Sequence, residues 1–223
     1  MNGTFHKVSL PACAAIGALL AASSSWAAGF ALRDQSASGL GTAFAGGTAG
    51  ATDDASGIFF NPAVIGLLPG SEVSASATFI APQSKLHDGR AARAAALGGS
   101  TISGPSSTGD AAEDALVPAG YGVWAASPDL RFGLAVTSPW GLVTEYDDNW
   151  IGRYHGIHSE LLTVNVNPVV AYRLAPRLTV AGGVQVQYAT ADLSQAVDVG
   201  GILAAMGLGT VPGSMDAQAR IEG

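Results

Sequence analysis

The sequence predicts an all-β chain: a transmembrane antiparallel β-barrel with an N-terminal plug of short helices. Three observations point that way. The chain opens with a secretory leader. Its later part alternates apolar and polar residues with period 2, in runs of about 9–15 residues, the pattern of strands with one lipid face. Tight turn signals alternate along it with longer polar connections, as at the two ends of a barrel.

Residues 1–27 read as a signal peptide. His6 and Lys7 form the polar head, Val8 to Ala22 the apolar core, and Ser25-Trp26-Ala27 the small residues at the cleavage position. The mature chain then starts at Ala28. The competing reading is a membrane anchor, but the apolar stretch is short and ends in Ser23-Ser24-Ser25. Cys13 is the only cysteine and lies in the leader. No disulfide, thiolate nucleophile or cysteine-bound metal is then expected in the mature chain.

The composition excludes several classes. The chain has 223 residues with a formal charge of -7, and only 12% are charged, too few for a disordered acidic tail. Eight arginines and two lysines are scattered, so no nucleic-acid partner is expected. No run of 18 apolar residues follows the leader, which excludes helical membrane spans.

Residues 28–70 form the plug. Gly39, Gly41, Gly46, Gly47 and Gly50 break it into short pieces, and Asp53 and Asp54 suit a cap or turn. Asn61-Pro62 starts a short helix that Leu67-Leu68-Pro69-Gly70 ends. A disordered leader is the alternative for this stretch. The strands occupy 71–192. In 71–81, Val73, Ala75, Ala77 and Phe79 share one face. After a long polar loop at 82–115, with a short helix across Arg90–Leu97, Ala119, Tyr121, Val123 and Ala125 align in 117–126. Ser127-Pro128-Asp129 turns into 130–138, where Phe132, Leu134 and Val136 align. In 160–174, Leu162, Val164, Val166, Val170 and Tyr172 oppose Thr163, Asn165, Asn167 and Arg173. Ala175-Pro176 turns into 177–192, where Val180, Val184, Val186 and Tyr188 oppose Gln185 and Gln187.

The apolar faces are expected to meet lipid, and Phe79, Trp124, Trp140, Trp150 and Tyr172 to form interface belts. Packed against each other in water, the same faces would give a soluble sandwich. Pro168 and Pro139-Trp140-Gly141 are either kinks that open the wall or, respectively, an accommodated irregularity and a plain strand end. Residues 193–223 read as a loop region with a short helix over Val199–Leu208. Five strands fall short of the roughly eight that close a small barrel, so the chain reads as part of a longer one, the alternative being assembly from several copies.

Enzymatic motifs are absent. Ser36-Ala37-Ser38-Gly39 is no nucleophile elbow. The glycines form no phosphate loop, and His155 and His158 have no evident third ligand for zinc. Asp53-Asp54 and Asp147-Asp148 read as solvated or capping pairs, the alternative being metal binding. No enzyme activity, cofactor or metal is expected.

Several motifs together carry a resemblance. They are Ala28-Gly29-Phe30, Ser38-Gly39-Leu40-Gly41, Ala43-Phe44-Ala45-Gly46, Asp53-Asp54-Ala55 and Asn61-Pro62-Ala63. Further along come Trp140 through Tyr146, Val164 through Pro168, and Ala171 through Leu174. In order and spacing the chain resembles the bacterial outer-membrane long-chain fatty acid and aromatic-hydrocarbon transport family. The resemblance implies a fourteen-stranded barrel closed by an N-terminal hatch. Residues 28–70 would be the hatch, 71–192 the first five strands, and 193–223 an extracellular loop region.

It implies a function as well: passive outer-membrane uptake of long-chain fatty acids or aromatic hydrocarbons in a Gram-negative bacterium, with a gating hatch and lateral exit into the membrane. Phe30, Tyr188 and Thr190 become candidate ligand contacts, although the alternation turns Tyr188 outward. Asn61, Pro62 and Ala63 become hatch or gating residues, and Pro139, Trp140 and Gly141 the kink of the third strand. Arg153 and Arg173 are available for a fatty-acid carboxylate, or for structural bonds. The implied partners are hydrophobic small molecules, outer-membrane lipid, lipopolysaccharide and the barrel assembly machinery. The alternative is a non-transporting structural or adhesion-type outer-membrane protein, or a truncated remnant.

Overall fold

The computed structural model describes residues 31–49 and 53–223; the signal-peptide stretch 1–27 and Phe30 lie outside the described residues. Helix α1 (Ala37–Gly41) and 3-10 turns at Gly47–Ala49, Ala55–Phe59 and Pro62–Leu67 make up the N-terminal segment. The chain then runs through β1 (Glu72–Ile80), β2 (Ala115–Ala125), β3 (Leu130–Thr137), β4 (Gly141–Glu145), β5 (His158–Ala175), β6 (Leu178–Gly183) and β7 (Val186–Asp198). Helix α2 (Val199–Ala205) and β8 (Asp216–Glu222) follow.

The strands form one antiparallel sheet in the order β1-β2-β3-β5-β7-β8, with β4 and β6 both paired to β5. β3 and β4 are thus two parts of one interrupted row, as are β6 and β7. Long connections (81–114, 146–157 and 199–215) lie at one end of the sheet, and the tight turns 126–129 and 176–177 lie at the other. Among the described residues no helix is long and apolar enough to cross a membrane.

Two expectations need correction here. The fifth run continues past 192 to Asp198, and residues 216–222, expected in a loop, pair with it from Asp192↔Glu222 to Asp198↔Asp216. Across 90–97 only a 3-10 turn at Ala95–Leu97 forms.

The outer face is apolar. Val73 and Phe79 on β1, Phe132, Leu134 and Val136 on β3, and Leu162, Val164, Val166, Val170 and Tyr172 on β5 are all exposed there. Trp124 and Phe132 stack with centroids 5.8 Å apart near the tight-turn end. Trp150 is not part of such a belt: it stacks on Tyr146 at 4.1 Å within a long connection, and its indole N–H donates to the Gly156 carbonyl.

The N-terminal segment fills the inner face. Ile58, Val64, Ile65 and Leu68 pack against Ala119, Tyr121 and Val123 of β2, Ala135 of β3, and Val169 and Ala171 of β5. Here β2 departs from the expected orientation. Its aligned set Ala119, Tyr121 and Val123 points inward, because the apolar side chains of the N-terminal segment pack on that side. Gly133 permits the close approach: a Cβ there would lie 2.9 Å from Ile58 Cδ1 and 2.7 Å from Val169 Cγ2. Guanidinium groups fasten the segment's end. Arg131 donates to the Leu68 carbonyl at 2.6 Å, and Arg173 donates to that of Gly66.

Capping shapes the short turns as the sequence implies. Asp54 accepts from the Ser56 N–H at 2.8 Å, and Asn61 Oδ1 from the Ala63 N–H at 3.0 Å, with Pro62 opening the turn.

Candidate functional site

The two prolines singled out in the sequence sit at two interruptions of the wall. Pro168 has no N–H to give, and β5 itself runs through it unbroken. The break appears in the neighbouring row: Val169 pairs with Gly183 and Val166 with Val186, while Val184 and Gln185 leave the ladder between them. Pro168 still accepts from the Val184 N–H at 3.2 Å.

The second interruption is larger. Between β3 and β4, Ser138, Pro139 and Trp140 face only two residues of β5, since Thr137 pairs with Asn165 and Gly141 with Leu162. This is a one-residue bulge. The Thr163 hydroxyl closes it on the β5 side by accepting from the Trp140 N–H and donating to the Trp140 carbonyl. On the β2 side the ladder stops. Gly120↔Val136 is the last pair, and contact resumes at the Glu113 N–H to Val143 carbonyl bond and the Ala112↔Thr144 bridge. Residues 114–119 and 137–142 therefore face each other with no ladder between them.

The N-terminal segment occupies the inner side of this break. Ala31 bridges to Trp140, and the Leu32 N–H donates to the Pro139 carbonyl at 2.8 Å. Gln35, fully buried at 0% exposure, meets both backbone groups of Ser138: Nε2 donates to its carbonyl at 2.6 Å and Oε1 accepts from its N–H at 3.2 Å. The Tyr121 hydroxyl of β2 donates to the Gln35 carbonyl at 2.7 Å. The sequence reading passed over Gln35 and Ser138 and took Tyr121 only as a strand residue. A glutamine between Asp34 and Ser36 carries no periodic signal; its burial comes from contact with a residue 103 positions away.

The candidate residues thus separate. Pro139 and Trp140 lie in the bulge with Ser138, whereas Gly141 opens β4 and pairs with Leu162. Asn61, Pro62 and Ala63 build a capped turn, and Asn61 Nδ2 also donates to the Thr48 carbonyl at 2.9 Å. Phe30 lies outside the described residues. Tyr188 and Thr190 do not face the inside: they pair with Val164 and Leu162, and Tyr188 is 69% exposed on the outer face. No bulge reverses their register, so the lumen-wall placement is corrected to an outer-wall one. Arg173 is engaged by the Gly66 carbonyl, and Arg153 by Asp216, so neither stands open to a carboxylate. Among the described residues no three or more His, Cys, Asp or Glu side chains gather into a metal site.

At the far end, three long connections are stapled together. Arg93 Nε meets Asp198 at 2.5 Å, and both side chains are almost fully buried. Arg153 Nε meets Asp216 at 3.0 Å, and its guanidinium lies 4.6 Å from the Tyr154 ring centroid. Tyr154 accepts from Arg93 and donates to Asp216. A cleft of about 290 Å³ beside this cluster is walled partly by Leu97, Ile102 and Ile202.

Burial pushes the Asp198 carboxyl up, but the Arg93 guanidinium and the N–H groups of Gly213 and Gly201 outweigh it and hold the group below the usual carboxylate range. A depressed folded-state value contributes stability above the ordinary value of 3.8, and that contribution is lost as pH falls through the folded value. Hydrogen exchange in 199–215 is therefore expected to accelerate on acidification below pH 3.8. Asp198→Asn should remove most of that acceleration; an unchanged acid response in the variant would assign it to other carboxylates.

The sequence and the fold are both matched by known proteins. A sequence profile for the outer membrane protein transport protein (OMPP1/FadL/TodX) family matches residues 18–222. The long-chain fatty acid transport protein of Escherichia coli strain K12 is 33% identical over 192 residues, which is 85% of this chain and 40% of that protein. Outer membrane protein P1 of Haemophilus influenzae strain Rd is 30% identical over 182 residues, 79% of this chain and 39% of that protein. The chain thus spans 39–40% of the length of these two relatives. The crystal structure of a Pseudomonas aeruginosa FadL homologue superposes with a TM-score of 0.69 at 22% identity, over 87% of this chain and 46% of that one.

These relatives are named as a transport protein and an outer membrane protein. The protein resides in the outer membrane of a Gram-negative bacterium. A largely antiparallel sheet with short N-terminal helices, matched from residue 18 to residue 222, places the chain in the OMPP1/FadL/TodX family of outer-membrane transport proteins.

Proposed function

We propose that this chain is part of a passive outer-membrane uptake channel for hydrophobic small molecules, long-chain fatty acids or aromatic hydrocarbons. In this reading the sheet is an arc of a larger barrel, and residues 28–70 are its hatch. The leader 1–27 is removed on export, and the barrel assembly machinery inserts the protein among lipid and lipopolysaccharide. The observation that carries the reading is the wall break between 114–119 and 137–142, covered from inside by Ala31 to Gln35.

The physics favours such a route. An alkyl chain gains about 0.8 kcal/mol for each methylene taken out of water, so an apolar path lowers the barrier that a water-filled pore would impose. The loop-side cleft with Leu97, Ile102 and Ile202 offers a first apolar contact. Displacing the hatch from the break would let the ligand pass sideways into the bilayer, with no energy source beyond its gradient. Asn61, Pro62 and Ala63 hold the hatch in shape, and Phe30, at its free end, is the proposed ligand contact.

The test is uptake of labelled oleate and labelled toluene in a host lacking its own transporter. The 223-residue chain is compared with a version extended by whatever coding sequence follows it. Uptake of either compound by at least one version supports the channel. Absence of uptake by both, with both present in the outer membrane, rejects transport of these compounds and leaves a structural or adhesion role.

A further inference from the structure

We propose that Gln35 is the positioning residue of the wall break, a side-chain latch that holds the N-terminal segment across it until release; this deepens the uptake reading above and rests on it.

The geometry spans both banks. On one bank, the Gln35 amide engages the N–H and the carbonyl of Ser138, as a paired strand would. On the other, its own carbonyl accepts from Tyr121 of β2 at 2.7 Å and from Ser76 of β1 at 3.3 Å. Thus Gln35 ties the β1–β2 side to the β3–β4 junction where the ladder between them is missing. Ser138 is held from behind as well, because its hydroxyl donates to the Thr163 carbonyl at 2.7 Å.

A buried amide is costly unless bonded, so this pairing selects the closed position of the segment. Besides Gln35, the segment meets the break through the Leu32 N–H to Pro139 carbonyl bond and the Ala31–Trp140 bridge. Thr137 Oγ1 and Asn165 Oδ1, on cross-strand partners beside it, are buried with no hydrogen-bond partner among the described residues. Release needs rotation of the Gln35 side chain and loss of the short Ala31–Leu32 backbone contacts, and it leaves the β2–β3 and β3–β5 ladders intact.

The distinguishing variant is Gln35→Glu. An ionised carboxylate accepts from the Ser138 N–H but has no hydrogen to give its carbonyl, and the two oxygens repel. A protonated carboxyl regains the donor and repeats the amide pattern. Burial raises a carboxyl's titration range, so the variant should switch between about pH 8 and about pH 5. Tyr121, Arg33 and Asp34, its titratable neighbours by contact or in sequence, are common to variant and parent.

The readout is a bimane fluorophore on Ala31→Cys, quenched by Trp140 across the bridge between these residues. It is measured in outer membranes from cells expressing the gene, with Trp140→Phe as the control for quenching. The parent should stay quenched at both pH values. Gln35→Glu should lose most of the quenching at about pH 8 and regain it at about pH 5, which also shows that the variant is folded. Gln35→Leu should stay unquenched at both.

A Gln35→Glu signal as flat and quenched as the parent's overturns the latch, as does full quenching in Gln35→Leu. The uptake assay is scored separately. A pH-switched signal without uptake keeps the latch and rejects the channel; uptake with a flat signal keeps the channel and rejects the latch.

Discussion

Ile65→Ala is expected to destabilise the docking of the N-terminal segment by about 2–5 kcal/mol. Ile65 is 0% exposed and sits at the centre of the only apolar cluster that joins the segment to β2, β3 and β5 among the described residues. Its Cδ1 lies 3.2 Å from the position a Cβ would take at Gly133, so strand and plug meet with no slack. Truncation removes the transfer energy and leaves a cavity that the rigid wall closes only in part. Two outcomes separate the forces involved. A loss in this range, read from hydrogen exchange of the turn Pro62–Leu67, assigns docking to packing. A loss below about 1 kcal/mol assigns it to the guanidinium bonds from Arg131 and Arg173 to the Leu68 and Gly66 carbonyls. Val73→Ala, at a position 86% exposed on the outer face, is the control and should leave docking unchanged.

How much of this was legible in the sequence depends on what each residue had to satisfy. The outward sets of β1, β3 and β5 were readable because apolar side chains recur there at every second position. The set on β2 was readable as an alternation but not as a direction. Ala119, Tyr121 and Val123 suit a dry interior as well as they suit lipid, and only Ile58, Val64 and Ile65, packed against them, decide between the two. Tyr188 makes the opposite point. Alternation turned it outward, and its register with Val164 agrees, whereas its assignment to a ligand pocket came from resemblance alone. β8 was overlooked although Ala217, Ala219 and Ile221 alternate with Asp216, Gln218, Arg220 and Glu222; small and charged residues carry little apolar signal. Proline chemistry marked 139 and 168 as sites of irregularity, since a missing N–H is a local fact, yet β5 runs through Pro168 unbroken. Which ladder each would break was not local. Gln35 was beyond reach for the same reason: burial of a lone polar side chain is decided by Ser138, Tyr121 and Ser76, all distant in sequence.

The outer face supplies the second large expected effect. Leu134→Arg should cost about 2–4 kcal/mol when the protein is folded in phospholipid bilayers. Leu134 lies mid-strand in β3, between Gly122 of β2 and Pro168 of β5, and the residue is 47% exposed on the apolar outer face. In water that exposure would make the change nearly neutral, within about 0.5 kcal/mol, because a long cationic side chain is at ease on a solvated strand. In lipid the same guanidinium must be desolvated or drag water and headgroups inward. The sign of the difference therefore separates a membrane wall from the water-soluble sandwich that the same alternation permits. Urea unfolding from vesicles, compared between Leu134→Arg and parent, reads the difference directly. A loss within the lipid range confirms that β3 presents this face to acyl chains. A near-zero effect would place Leu134 against water or at the membrane interface, and the break that begins at Ser138 would then open onto something other than the bilayer core.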